Sequence, residues 1–216
     1  MLGQSIKQNA TGLSIFAIVT AGIIAVTQTL TAEKIQFNID TAKSKALYEI
    51  LPPETHDNIL LDDTLAITHT SLIADEDAGE AFIARKDGEA IAVILPTIAP
   101  NGYTGKIHSI VGIFADGSIA GVRIIQHRET PGLGDKVELK KSPWVLSYNG
   151  KSLRNPSPDR WHVKKDGGDF DQFTGATITP RAVVSSVHAA LQYFNANRDT
   201  LLAPKIVVTD DVPEGS

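Results

Sequence analysis

The chain contains no cysteine. That absence removes disulfides, cysteine-ligated iron–sulfur clusters, thioether-linked haem or flavin, and a thiol nucleophile. Any redox chemistry must use a cofactor held by other means. The missing thiols also suit an oxidising compartment, although cytosolic chains can lack cysteine too. There is no basic block either: 20 Lys+Arg stand against 25 Asp+Glu, for a net charge of −5, which argues against nucleic acid as a partner. The histidines (His56, His69, His108, His127, His162, His188) show no HxxxH or HExxH spacing, so no metal site of that kind is encoded. Ser185 and Ser186 have no GxSxG around them and read as helix residues. What remains is a 216-residue chain, 42% hydrophobic and 21% charged, able to bury one core and carry appendages.

No charged side chain occurs between Lys7 and Glu33. As a helix this stretch of about 25 residues rises roughly 37 Å, enough to cross a bilayer. Its centre, Leu13 to Val26 (LSIFAIVTAGIIAV), is rich in residues that favour insertion, and its Ser and Thr can bond back to their own helix. Lys7 on the short side predicts a cytoplasmic amino terminus and an exported remainder. The alternative is a cleaved signal peptide, with small Thr29 and Thr31 flanking Leu30, but the apolar run exceeds a usual signal core.

Glu33 to Ile50 reads as a helical neck with Ile35, Ile39, Leu47 and Ile50 on an intermittent apolar face, stopped by Pro52-Pro53. The acidic stretch Glu54 to Asp77 gives no clear pattern. From Ala81 short strands follow: AFIAR and AIAVIL around Lys86-Asp87-Gly88-Glu89, then KIHSIVGIF and IAGVRIIQH around Ala115-Asp116-Gly117-Ser118. Two Asp-Gly turns between β-rich runs predict two hairpins. The next segment, HRETPGLGDK (His127 to Lys136), has turn chemistry at Pro131-Gly132 and Gly134 and could bring backbone close to a flat ligand, or simply turn. Trp144, Tyr148 and Trp161 read as core aromatics.

Asp171 to Phe194 (DQFTGATITPRAVVSSVHAALQYF) is the most informative stretch. Val183, Val184, Val187, Ala190, Leu191 and Phe194 fall at helical spacing, and Thr179-Pro180 reads as an N-cap followed by a first-turn proline. The turn Thr174-Gly175-Ala176-Thr177 then lies just before a helix amino terminus, where free N–H groups and the positive dipole end favour a phosphate. On these grounds a capped helix with threonines in its lead-in loop is an equally good reading.

Asp171-Gln-Phe-Thr174-Gly-Ala-Thr177 resembles the Dxx[ST]GAT signal read by periplasmic flavin transferases, which join the phosphate of FMN to the final threonine. The longer run resembles the FMN-binding domain of Rnf/Rsx G subunits and, more distantly, of the Nqr C subunit. It does so through GYTGKI (Gly102 to Ile107), HRETPGLGDK, VKKDGGDFDQFTGATITPRAVV (Val163 to Val184) and the single span. The similarity runs well from Ala81 to Phe194 and poorly over the acidic stretch. It implies covalent FMN on Thr177, with Thr174, Gly175, Ala176, His127, Glu129, Thr130, Gly132, Leu133 and Gly134 around the cofactor and Asp171 read by the transferase. Thr177 is then a tether and no residue an acid or base, although His127 and Glu129 could handle protons or merely bond within their loop. Other Rnf/Rsx membrane subunits, the transferase and membrane lipid are the implied partners. The implied role is electron relay in an inner-membrane complex coupling ferredoxin/NAD redox chemistry to ion movement. A membrane-anchored flavin-binding regulatory module and a stand-alone periplasmic flavin reductase are the alternatives.

The expected fold is α+β, an antiparallel sheet of hairpins packed with helices and preceded by one N-terminal transmembrane helix. The expected divisions are a cytoplasmic 1–8, a span at 9–31, a periplasmic neck and acidic segment at 32–79, the FMN-binding domain at 80–196 and a tail at 197–216.

Overall fold

The computed structural model describes residues 2–74 and 78–204; the acidic triplet at 75–77 and the tail beyond 204 lie outside the described residues. The chain divides into two compact units, Met1–Ala42 and Lys43–Ser216. A single helix, α1 (Leu2–Ile50), begins in the first and ends in the second.

Within the first unit, α1 is long and apolar enough to cross a membrane. Leu13, Phe16, Ile18, Ile24 and Leu30 are all exposed, so no protein core explains their hydrophobicity. The hydroxyls along this stretch do not demand water. Ser14, Thr20, Thr27, Thr29 and Thr31 each donate to the carbonyl four residues back at 2.8–2.9 Å, as a helix in hydrocarbon requires.

The neck expected from Glu33 is not a separate helix. Nothing in the sequence interrupts the backbone hydrogen bonding before Pro52, so α1 continues to Ile50. Its apolar face is also shorter than the spacing suggested: Ile35 is exposed, Ile39 is half-buried, and among the described residues of this stretch the buried ones are Ala46, Leu47 and Ile50.

Five strands form one antiparallel sheet in sequence order: β1 (Thr64–Ile67), β2 (Gly79–Lys86), β3 (Glu89–Ala99), β4 (Ile107–Phe114) and β5 (Ile119–Gln126). Both Asp-Gly turns join strands as expected. Strand β1 arises inside the acidic stretch and completes the sheet, Thr64 facing Phe82 and Ile67 facing Gly79. Side-chain alternation sorts each strand onto two faces. Val93, Leu95, Val111, Ile113 and Val122 point into the larger core, while Phe82, Ala92, Ile94 and Ile110 point into a smaller one.

The larger core is covered by α3 (Ile178–Ala196), which lies on β3 and β4 and is preceded by the short α2 (Thr70–Ile73). Val183, Val184, Val187, Ala190, Leu191 and Phe194 are all buried on it, the face that their spacing predicts. A last turn, α4 (Arg198–Leu201), follows. The same core holds an aromatic cluster: Tyr148 stacks on Phe170 at 4.8 Å, Trp161 lies 5.0 Å from Phe170, and Trp144 meets Phe173 edge-on at 5.1 Å. Burial raises the Tyr148 hydroxyl well above its usual pKa.

The smaller core is covered by the end of α1. Gly112 and Gly121 face each other across β4 and β5 and leave a notch for Ile50, whose Cγ2 occupies the place of a Gly112 side chain. Arg123 fastens the same turn, donating from Nε to Glu49 Oε2 at 3.0 Å and from Nη2 to the Glu49 carbonyl, which satisfies a helix-terminal acceptor.

Candidate functional site

Three segments converge at one end of the sheet: the β3–β4 loop around Tyr103, the segment after β5, and the turn that leads into α3. They enclose a cleft of about 260 Å³ lined by Tyr103; by Glu129, Thr130, Leu133 and Gly134; and by Gly175, Ala176, Thr177, Ile178 and Thr179.

The turn before α3 follows from its residues. Ala176 N–H donates to the Phe173 carbonyl at 3.1 Å, and Gly175 takes the third position at φ +82°, a conformation that favours glycine. Helix α3 begins at Ile178, with Thr177 as N-cap residue. This corrects the expectation that Thr179 caps a helix starting at Pro180. Thr179 sits within the first turn, fully buried, and its hydroxyl donates to Glu129 Oε2 instead. The stronger long-range acceptor takes the hydroxyl that local sequence assigns to capping.

Thr177 is half-buried in the cleft wall. Its side chain makes no capping hydrogen bond, and it shows no other partner among the described residues. The first-turn N–H groups of α3 lack intrahelical acceptors by helix geometry, and Pro180 has none to offer. Cleft wall, free hydroxyl and helix start therefore coincide at one residue. Arg181 does not reach into the cleft with a free charge, because it forks onto Asp166 with two contacts of 2.6 Å. The pair holds the Asp166 carboxyl below its usual pKa and raises that of Arg181.

Opposite Thr177, Glu129 is 4% exposed. Its Oε1 accepts from the Thr104 backbone N–H at 3.0 Å and from the Thr104 hydroxyl at 3.1 Å, and Oε2 accepts from Thr179. One carboxylate thus ties together all three segments of the cleft. Glycine at position 134 is required by this packing, since a Cβ there would stand 2.9 Å from Glu129 Cβ, Glu129 Oε2 and Thr179 Oγ1. Gly132 has open space but φ +77°, so it serves the backbone path.

His127, Gly132 and Thr174 do not line the cleft. His127 Nδ1 accepts from the Glu129 N–H at 2.9 Å, which puts the ring proton on Nε2, 2.7 Å from Glu138 Oε1; the imidazole orients the Glu129 segment from behind. Thr174 is exposed at the turn. Asp171 is also exposed, 2.6 Å from Lys164, while its carbonyl accepts from the Trp144 indole at 2.8 Å.

The mouth of the cleft carries apolar side chains that water does not favour: Tyr103 is 66% exposed, Ile178 46% and Leu133 41%. Grouped around a concave site, they suit a flat, partly apolar ligand. Sequence reasoning names neither Tyr103 nor Ile178 as a site residue, although Tyr103 falls within GYTGKI and Ile178 stands beside Thr177.

Residues 102–192 match the family described as the FMN-binding domain, and residues 1–50 match the RnfG N-terminal region. Among curated proteins, the chain is 49% identical over 202 residues to the G subunit of the ion-translocating oxidoreductase complex of Pseudomonas aeruginosa, covering 94% of each chain. It is 47% identical over 200 residues to the protein of the same description from Vibrio atlanticus (93% of this chain, 95% of that one). The corresponding Shewanella loihica protein is 46% identical over 199 residues, covering 92% and 94%.

Proposed function

The chain belongs to the G-subunit family of ion-translocating oxidoreductase complexes, and from that premise we propose that its electrons pass through an FMN joined by a phosphoester to Thr177. At the coarser level it is an electron-transport subunit with an FMN-binding domain, one component of a redox enzyme with several subunits.

The observation that carries the finer reading is Thr177 itself, a cleft-lining hydroxyl at a helix start that caps nothing. The residues present fit a flavin phosphate. Gly175 and Ala176 are small, the α3 amino terminus favours an anion, and Tyr103, Leu133 and Ile178 offer apolar surface for a ring. In the attachment step, the Thr177 Oγ–P bond would form as the P–O bond between the flavin phosphate and its leaving group, in an activated flavin nucleotide, breaks; the hydroxyl proton departs with that group, and the residue gains FMN less one water. When bound, FMN would supply the reversible electron-carrying chemistry of the subunit. Thr177 holds the cofactor by its phosphate, so the surrounding contacts tune the ring. Asp171, outward-facing on an anchored backbone, is read as the recognition point for a flavin transferase.

The domain boundaries proposed from the sequence go with this reading: α1 anchors the protein in membrane lipid through 9–31, and residues 80–196 bind the flavin. Na⁺- or H⁺-translocating Rnf/Rsx subunits are its partners, and the flavin domain faces the periplasm. A reporter active only after export, fused behind Ser216, should be active. Activity from a cytoplasm-only reporter at that position would reverse the orientation.

Peptide mass spectrometry on the denatured wild type should find FMN less one water on the fragment spanning Asp171 to Arg181. A flavin that dissociates completely on denaturation contradicts the tether. The pocket glycines give a separate check. Gly134→Val forces a side chain into the Glu129–Thr179 contact, with about 1–3 kcal/mol of overpacking. Gly132→Val only strains the backbone. Both should keep the flavin attached, with the absorbance spectrum perturbed most in Gly134→Val. Identical spectra in both folded variants would separate this loop from the flavin.

A further inference from the structure

We infer that Glu129 lowers the reduction potential of the flavin in this cleft by acting as a buried carboxylate with which no described lysine or arginine forms an ion pair. The inference rests on the cleft being the flavin site. The carboxylate lines that cleft, is 4% exposed, and accepts on both oxygens, from Thr104 and from Thr179. Acceptance at both oxygens is the pattern of an ionised group. Among the described residues no lysine or arginine forms an ion pair with it, whereas the other strongly buried acids, Asp63 and Asp135, each face a cation, Arg85 and Lys141.

His127 does not supply the missing charge. Its Nδ1 accepts from the Glu129 backbone, and its ring proton points away to Glu138. Solvent is also kept off. Added Cβ atoms at Gly102 and Gly134 would each come within 2.9 Å of a carboxylate oxygen, so both flanks are filled by main chain. A charge held in so dry a place acts at close range with little screening.

The consequence for the cofactor is electrostatic. One electron entering from a reductant adds one negative charge to the flavin and makes no bond, and a fixed anion beside it opposes that gain. The carrier becomes a stronger donor to whatever follows it. Two hydroxyls and one N–H stabilise the carboxylate enough to keep it buried without cancelling its charge. A purely structural clasp would need no ionised group in this place; a threonine or glutamine network could join the same segments.

The test is a potentiometric titration of the detergent-purified, flavin-bearing full chain, with in-gel flavin fluorescence after denaturation as the measure of attachment. Glu129→Gln, equal in size but neutral, should move the midpoint positive. At a fixed applied potential the reduced-to-oxidised ratio should rise about tenfold or more. Glu129→Asp keeps the charge and should stay near the wild type. Thr104→Lys, at an exposed position whose backbone N–H retains its bond to Oε1, sets an ammonium beside the carboxylate and should shift the midpoint positive as well. It decides the matter if Glu129→Gln does not fold. An unmoved or more negative midpoint in a folded, flavin-linked Glu129→Gln or Thr104→Lys protein overturns the inference while leaving the Thr177 tether intact. Wild-type protein without attached flavin overturns both.

Discussion

Thr177→Val should give a folded protein with no covalent flavin. Valine matches threonine in shape and replaces the hydroxyl with a methyl, so the single oxygen able to form the phosphoester is lost. Because the Thr177 hydroxyl makes no capping hydrogen bond and shows no partner among the described residues, its removal orphans none of them, and the stability change should be about 1 kcal/mol or less. In-gel flavin fluorescence should fall from the wild-type level to background while the thermal transition stays nearly in place. Fluorescence that persists in the folded variant would sink the assignment.

The neighbouring threonines should behave differently, each for a structural reason. Thr174 is exposed on the turn and Thr174→Ser keeps a hydroxyl there, so attachment should survive. Thr179→Val also retains the tether oxygen but strips a donor from buried Glu129, which should cost about 1–3 kcal/mol. Asp171→Ala removes the outward carboxylate and its exposed pair with Lys164, a contact worth little at the surface, while the Asp171 carbonyl remains bonded to Trp144. It should lower the flavin load without a matching loss of stability.

Local signals in the chain account for the hairpins and for the buried face of α3, where turn chemistry and helical spacing act over a few residues. They fail where distant partners decide. Thr64 to Ile67 looks like part of an acidic loop, and it becomes β1 only because the edge of β2 offers it a ladder. Thr179-Pro180 carries a strong capping signal, yet the hydroxyl goes to Glu129, fifty residues earlier in the chain. Likewise HRETPGLGDK reads as a turn, and its glutamate is seen to join three segments only when Thr104 and Thr179 are brought beside it. Tyr103 and Ile178 both fall within motif segments, yet nothing local marks their side chains as an exposed apolar rim. Exposure is a property of the folded surface.

Gly168→Ala should be among the most damaging single changes in the domain, although the pattern Asp166-Gly167-Gly168-Asp169 points to its neighbour. Gly167 has the left-handed backbone, φ +87°, with open space around it, so Gly167→Ala should cost about 1–2 kcal/mol in strain. At Gly168 the difficulty is steric: a methyl would overlap the carbonyl group of His162 and stand 2.6 Å from its Cα. These are main-chain atoms, and no rotamer change relieves the overlap. The loop must open, at the expense of Phe170 N–H to His162 O at 3.2 Å and Lys164 N–H to Phe170 O at 2.7 Å. Phe170 would be drawn from its place between Tyr148 and Trp161. Loss of these contacts should cost about 3–4 kcal/mol, a fall in Tm of the order of 10 °C for a chain of this size. Asp171 to Thr177 lie directly downstream, so the flavin load should fall with it. Thermal melts of the detergent-solubilised full chain, with flavin fluorescence measured alongside, compare the two variants. A Gly168→Ala protein as stable as Gly167→Ala would mean that this loop yields easily and does not hold the attachment segment in position.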